Sequence, residues 1–365
     1  MATPYIEWAK LHSAARWNLA TSGLPPLRVE DIGGWPEAAG LCGPNSYGYA
    51  PLLERIAAHH GVRPTEVVTA TGCSMANVLA MAALVSPGDE VLVERPTYDP
   101  LLLAASHLGG RIVRFDRHAA DGFGVDADTV IAAISPRTRL IVLANLHNPS
   151  SQFTSNEVLV KIGDAALRVG ARVLVDEVYL DTVFDGAPGS CVHLGPAFVA
   201  TGSLTKAYGL SALRCGWILA DEDLARRIWR MHDLYGNVQP FAMDALAVQA
   251  FDRLPALAAR SRALLDANRA VFAAWSATRD DLAFTLPPWG TTVCTRPTQM
   301  DAEQLCEVLR TGYEVAVVPG RFFEQPEFLR IALCAETAVL HEGLRAMAAV
   351  LEARGPAARG CGVRP

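Results

Sequence analysis

Between Val67 and Ala220, short apolar and β-branched runs alternate with longer stretches of helical periodicity, and no other feature of the chain constrains its fold as strongly. Such alternation is the pattern of parallel strands joined by crossover helices, which leaves both faces of the sheet covered. Seven strands are expected, at 67–70, 90–94, 111–115, 140–144, 172–176, 198–201 and 217–220. Helices are expected at 75–85, 100–108 and 157–169, with the turn Ser86-Pro87-Gly88-Asp89 closing the first of them.

Past Ala220 the pattern turns helical over 223–234 and 239–269, the second stretch interrupted at Pro255. Short strands near Phe284 and at 291–295, 315–318 and 329–333 then mix with helices at 301–310 and 337–352. The first 35 residues carry little regular pattern, and Gly23-Leu24-Pro25-Pro26 cannot continue a helix, so an arm is expected there. The fold class is therefore α/β: a large domain with a mostly parallel seven-stranded sheet flanked by helices, plus a smaller α+β domain. The expected division is an N-terminal arm and part of the small domain over 1–40, the large domain over 41–255 and the small C-terminal domain over 256–355. A disordered Gly/Pro/Arg-rich tail is expected over 356–365.

A net charge of −6 supplies no broad basic surface, which argues against nucleic acid and anionic membranes as partners. No apolar window is long enough to span a bilayer; the longest, 73–85, ends at Pro87 and Gly88. Glu7 and Trp8 stand where an export leader would need basic and then apolar residues. Eight cysteines are scattered singly, with no Cys-x-x-Cys pair and no zinc spacing, so no metal site is expected and a reduced, cytoplasmic setting is.

Ligands of doubly wound sheets bind beyond the carboxyl ends of the strands, so the residues just after each strand carry the functional reading. Thr71-Gly72-Cys73-Ser74-Met75 leads from the first strand into a helix and reads either as a phosphate cradle of backbone N–H groups or as a plain turn with its N-cap. Asn148-Pro149 follows the fourth strand. Asp176 ends the apolar run Val173-Leu174-Val175, where a carboxylate is costly unless a cation or a ligand's N–H meets it; capping the next helix is the alternative. Lys206 follows the sixth strand in Ser203-Leu204-Thr205-Lys206, and Arg214 precedes the seventh. Only Lys10, Lys161 and Lys206 are lysines among 32 basic residues. A lysine in an apolar setting loses its proton by desolvation and becomes a nucleophilic amine.

Taken together these residues resemble the class I/II aminotransferases of the fold-type-I pyridoxal-phosphate family. Asn148-Pro149 resembles its Asn-Pro-x-Gly turn, Asp176-Glu177-Val178-Tyr179 its Asp-Glu-x-Tyr, and Ser203-x-x-Lys206 followed by Arg214 its lysine motif. Gly48-Tyr49-Ala50-Pro51-Leu52, Pro96-Thr97-Tyr98, Pro319-Gly320 and Phe328-Leu329-Arg330-Ile331 extend the similarity over most of the chain. Two departures stand out: Ser150-Ser151 replaces the usual Thr-Gly, and Cys73-Ser74 replaces more usual residues of the phosphate loop.

The resemblance implies pyridoxal 5'-phosphate as cofactor and Lys206 as its Schiff-base amine and proton shuttle. It implies Asp176 as partner of the ring nitrogen, and Asn148 and Tyr179 as partners of the ring's phenolate oxygen. Tyr98 is implied as the stacking ring, and Ser203, Arg214 and the amides of Cys73 and Ser74 as the phosphate clamp. Arg330 is implied as the grip on the substrate α-carboxylate, and Gly23 falls where the family's N-terminal segment crosses the substrate site. His147, Arg321, Trp17 and Trp289 are candidates for the side-chain pocket, Tyr47 for a partner's phosphate, and Tyr235 and Asn237 are further candidates. The expected reaction is amino transfer between an L-amino acid and a 2-oxo acid in a homodimer. Elimination, decarboxylation or carbon–carbon bond formation on an amino acid is the alternative, because the same residue set supports each. A nucleotide-binding dehydrogenase is disfavoured, since 71–77 holds one glycine.

Overall fold

The computed structural model describes residues 3–353, so the tail expected over 356–365 lies outside the described residues. Helix α1 (Pro4–Leu11) and the two-residue strand β1 (Trp17–Asn18) open the chain. The large sheet comprises β2 (Val67–Thr71), β3 (Glu90–Arg95), β4 (Arg111–Asp116), β5 (Thr138–Ala144), β6 (Arg172–Asp176), β7 (Phe198–Ser203) and β8 (Cys215–Leu219). All seven expected strands are present. Their order is β2-β8-β7-β6-β5-β3-β4, with β8 antiparallel to both of its neighbours and every other pair parallel. The connection Leu204–Arg214 is too short for a full crossover helix, so β8 returns antiparallel.

Alternate residues of the central strands feed two separate cores. Ile141, Leu143, Val173 and Val175 pack with Leu52 and Ile56 of α2 (Ala50–His60) on one face. Leu140, Val142 and Leu174 pack with Leu79 and Met81 of α3 (Gly72–Leu84) on the other. Burial on both faces is why these strands read as unbroken apolar runs rather than as alternating ones. At the edge strand β4, Arg111 and Arg114 discourage pairing with another chain.

The small lobe is the four-stranded antiparallel sheet β12-β13-β10-β9, formed by β9 (Leu282–Phe284), β10 (Thr292–Pro297), β12 (Val318–Pro319) and β13 (Leu329–Ala332). The intervening β11 (Val315–Ala316) instead pairs in parallel with β1, fastening the N-terminal segment to this lobe. Two expectations need correction. The opening segment contains a helix, because Pro4 starts α1 and Tyr5 buries its ring against Phe323. Pro255 does not interrupt a helix; it lies in the first turn of Leu254–Ser276, after Phe241–Phe251 has ended. The helix Leu254–Ser276 bridges the lobes: Leu254 and Leu257 belong to the large core, Leu265 and Phe272 to the small one.

Candidate active site

The carboxyl ends of β5, β6 and β7, the start of α3 and the turn before β8 converge on a cavity of about 680 Å3, with α1 along one wall. Because β8 runs antiparallel, its first residues lie at the same end of the sheet as the last residues of its neighbours, and Arg214 arrives there too. Cys73, Ser74, Tyr98, Asn148, Asp176, Tyr179, Ser203, Lys206 and Arg214 all line this cavity.

Lys206 sits in the single turn Thr205–Tyr208 and donates from Nζ to Ser22 Oγ at 2.9 Å. Its Nζ stands 5.9 Å from the centre of the Tyr179 ring. Gly23 follows Ser22 with no side chain, and a Cβ there would lie 3.2 Å from the Thr205 carbonyl and 3.5 Å from Lys206 Cδ. The Ser22 carbonyl is tied down by Thr291 Oγ1 at 3.0 Å.

Asp176 is 4% exposed and is held by three donors. Asn77 Nδ2 reaches Oδ2 at 2.8 Å, while the Val178 N–H, at 3.1 Å, and the Cys73 thiol, at 3.3 Å, meet Oδ1. Burial pushes the Asp176 pKa up, against those donors and the nearby Lys206. Cys73 thus turns its side chain toward the carboxylate, leaving only its backbone for the phosphate role expected of it. Burial also raises the Cys73 thiol well above its ordinary value, so it acts as a donor rather than a nucleophile.

Arg330, on β13, is fully buried. Its Nη1 donates to Asn148 Oδ1 at 2.8 Å, and its Nη2 donates to Tyr5 Oη at 2.8 Å and to the Ala20 carbonyl at 2.9 Å. The guanidinium packs against both the Tyr5 and Phe323 rings, at 5.3 and 5.2 Å from their centres, and its Nε has no partner among the described residues. Tyr98 meets Tyr5 edge-on at 5.8 Å. Arg214 adopts φ 49° and donates from Nη2 to the Thr71 carbonyl at 3.2 Å. Gly72, at φ 77°, lies directly beneath it: a Cβ there would sit 2.8 Å from Arg214 Cζ.

The remaining candidates fall elsewhere. His147 is buried beneath the Asn148 turn, with Nε2 3.0 Å from the Pro96 carbonyl and Nδ1 2.7 Å from Ser150 Oγ, and burial keeps its pKa well below the ordinary value. Arg321 pairs with Glu303 at the surface. Trp17 packs on the small-lobe core, and Trp289 meets Phe153 edge-on. Tyr47 and Tyr235 are exposed, and Asn237 takes φ 58° with its carbonyl against His232 Nδ1. Ser151, in place of the family's glycine, has φ 59°, and its hydroxyl donates to the Thr292 carbonyl at 2.9 Å, which ties the turn to β10. Four residues absent from the sequence reading take part: Tyr5, Ser22, Asn77 and Thr201. Asn77 carried a signal, since it lies one turn after Cys73 as a lone amide on the buried face of an apolar helix.

The sequence model of the family described as aminotransferase class I and II matches residues 42–347. The chain belongs to this family. Among relatives, capreomycidine synthase of Streptomyces vinaceus is 34% identical over 320 residues, 86% of this chain and 81% of that protein. The arginine–pyruvate transaminase of Pseudomonas aeruginosa is 28% identical over 316 residues, 82% of this chain and 80% of that protein. A pyridoxal-phosphate-dependent aminotransferase structure from Streptococcus suis shares the fold, with a TM-score of 0.92 at 24% identity over 97% of this chain and 98% of that one.

As a member of the class I and II aminotransferases the chain is a pyridoxal-phosphate-dependent transferase. The residues present fit that cofactor. A buried carboxylate, an amine whose protein partner is a neutral hydroxyl, and a loop with no Cβ beneath an arginine are the groups that a ring nitrogen, an aldehyde and a phosphate require.

Proposed function

We propose that this aminotransferase-family enzyme transfers the amino group of an L-amino acid to a 2-oxo acid, with Lys206 as the catalytic amine. The observation that carries the reading is the placement of Lys206 and Asp176 in one cavity, with Arg330 fully buried at the foot of Asn148. Bound pyridoxal 5'-phosphate supplies an electron sink for the charge left at the substrate Cα. Lys206 would hold the cofactor through its amine and would carry the proton at the substrate Cα. Asp176 keeps the ring nitrogen protonated, and Asn148 and Tyr179 hydrogen-bond the ring's phenolate oxygen. Ser203, Arg214 and the backbone of Cys73 and Ser74 hold the phosphate, while Tyr98 covers the ring face. Arg330 grips the substrate carboxylate, and Gly23 leaves room beside Lys206.

The test is direct. Borohydride reduction of the purified, cofactor-loaded protein is expected to leave a stable tag on the peptide carrying Lys206. Incubation with amino donors and a 2-oxo acid is expected to yield the new amino acid. Absence of the tag overturns the assignment of Lys206. Ammonia, CO2 or a new adduct without amino transfer favours the second reading, elimination, decarboxylation or carbon–carbon bond formation. The relative at 34% identity keeps that reading in play, because it is named a synthase rather than a transaminase.

We further propose a cytoplasmic homodimer, divided into an arm and part of the small domain over 1–40, a large domain over 41–255 and a small domain over 256–355. Exposed Leu41, Leu234 and Val238, with Tyr47 and Tyr235, support a second copy as cover for these side chains. Free cysteines support a reducing compartment. No helix among the described residues is long and apolar enough to cross a membrane.

A further inference from the structure

We infer that Asn77 is a positioning residue for Asp176: its amide, fixed in orientation by the Thr201 hydroxyl, holds the Asp176 carboxylate ionised and aimed at the ring nitrogen of the cofactor. The inference rests on the proposed pairing of Asp176 with that nitrogen. Thr201 and Asp176 are paired neighbours on β7 and β6, and Asn77 reaches both from α3 across the end of the sheet. Thr201 Oγ1 donates to Asn77 Oδ1 at 2.6 Å, and Asn77 Nδ2 donates to Asp176 Oδ2 at 2.8 Å.

All three side chains are buried, with Thr201 at 0% exposed and Asn77 and Asp176 at 4%. Water therefore does not compete for the bonds, and neither amide orientation is free. With the amide reversed, its oxygen would face a carboxylate oxygen at the same short distance, two acceptors without a proton between them. Thr201 would then also lose the acceptor for its hydroxyl. The observed amide orientation thus favours the ionised carboxylate, whose two oxygens both accept from the surrounding donors. The other carboxylate oxygen is held by the Val178 N–H and the Cys73 thiol, so Asn77 is the side chain that fixes the rotation of Oδ2.

A merely structural amide could be exchanged for an apolar side chain of similar volume without touching the chemistry. This separates the two roles. Holoenzymes carrying Asn77→Leu, Thr201→Val and Asp176→Ala are compared with wild type for kcat, KM of the amino donor, the absorption spectrum of the bound cofactor, and Kd for pyridoxal 5'-phosphate. Asn77→Leu is expected to lower kcat about 10- to 100-fold, the range for a lost hydrogen bond to a charged group, with KM within about 3-fold. Its bound-cofactor spectrum is expected to move toward that of Asp176→Ala, and its cofactor Kd to rise. Wild-type kcat and spectrum in folded Asn77→Leu overturn the inference.

Should Asn77→Leu fail to fold, Thr201→Val decides. A kcat lowered about 3-fold or more, with the same spectral movement, supports the relay, and unchanged values overturn it. Asp176→Ala with wild-type activity would instead overturn the reading of the site. An inactive Asp176→Ala beside an unimpaired Asn77→Leu overturns the relay alone.

Discussion

Arg330 and Asn148 are joined by a 2.8 Å hydrogen bond from Nη1 to Oδ1, which links β13 of the small lobe to the loop after β5 of the large sheet. The proposed substrate grip and a proposed ring partner are therefore oriented by each other. Arg330→Lys keeps the charge but cannot reach Asn148, Tyr5 and the Ala20 carbonyl together. Steady-state kinetics is expected to show KM for amino donors raised about 10- to 100-fold, the range for losing a bidentate charge-assisted contact. An unchanged KM would remove Arg330 from substrate binding.

Gly72 and Arg214 set a second expectation. With φ at 77° and the guanidinium directly above it, Gly72→Ala strains the backbone and displaces Arg214 from the Thr71 carbonyl. The apoprotein of this variant is expected to bind pyridoxal 5'-phosphate at least about 10-fold more weakly. Titration followed by absorbance measures this, and wild-type affinity would contradict the assigned phosphate loop.

Glu94 and Arg117 form an ion pair with both side chains at 0% exposed, at 2.7 Å. Arg117 also donates to the Phe123 carbonyl at 2.7 Å, and Glu94 accepts from the Ala144 N–H at 2.8 Å, next to Asn145, where the loop carrying Asn148 begins. Arg117→Met leaves a buried carboxylate alone and is expected to cost about 3–5 kcal/mol in denaturant unfolding. Adding Glu94→Gln is expected to recover part of that loss. Equal stability of the single and double variants would show that the two side chains are not coupled.

His60 gives a pH dependence. Burial, followed by the neighbouring His59, lowers its pKa from 6.5 to about 4, against Asp181. The unfolded chain therefore binds the proton more readily than the folded one between those values, and stability contributed by neutral His60 falls as pH drops from about 6.5 toward 4. His59 has the opposite sign, because its pKa is raised despite burial by the hydrogen bond to Asp181. The residue-specific expectation is that His60→Leu removes about 2 kcal/mol of the stability lost between pH 7 and 5, read from unfolding at the two values. An acid sensitivity identical to wild type would contradict it.

Strand ends made much of the site legible. Val173-Leu174-Val175 had to be a strand buried on both faces, so Asp176 had to emerge at its carboxyl end, and the same reasoning placed Asn148 after β5, Ser203 at the end of β7 and Lys206 just beyond it. Helix α1 was not legible, because eight residues starting at Pro4 carry too short a pattern, and their burial depends on Phe323 and Tyr98 far along the chain. Pro255 was misread because the same residue that breaks a helix interior also suits a first turn, and only the end of the preceding helix at Phe251 distinguishes the two.

The sequence alone thus determined the order of strands and helices along the chain and the candidate site residues at their ends, since hydrophobic period and turn residues act over a few neighbours. Tertiary structure decided what those residues touch: Lys206 against Ser22 across 184 positions, Arg330 against Tyr5 across 325, and Asp176 against Asn77 across 99. A hydrogen bond in a dry site depends on placement to within a few tenths of an ångström, and such placement comes from the packing of whole elements rather than from any local stretch of chain.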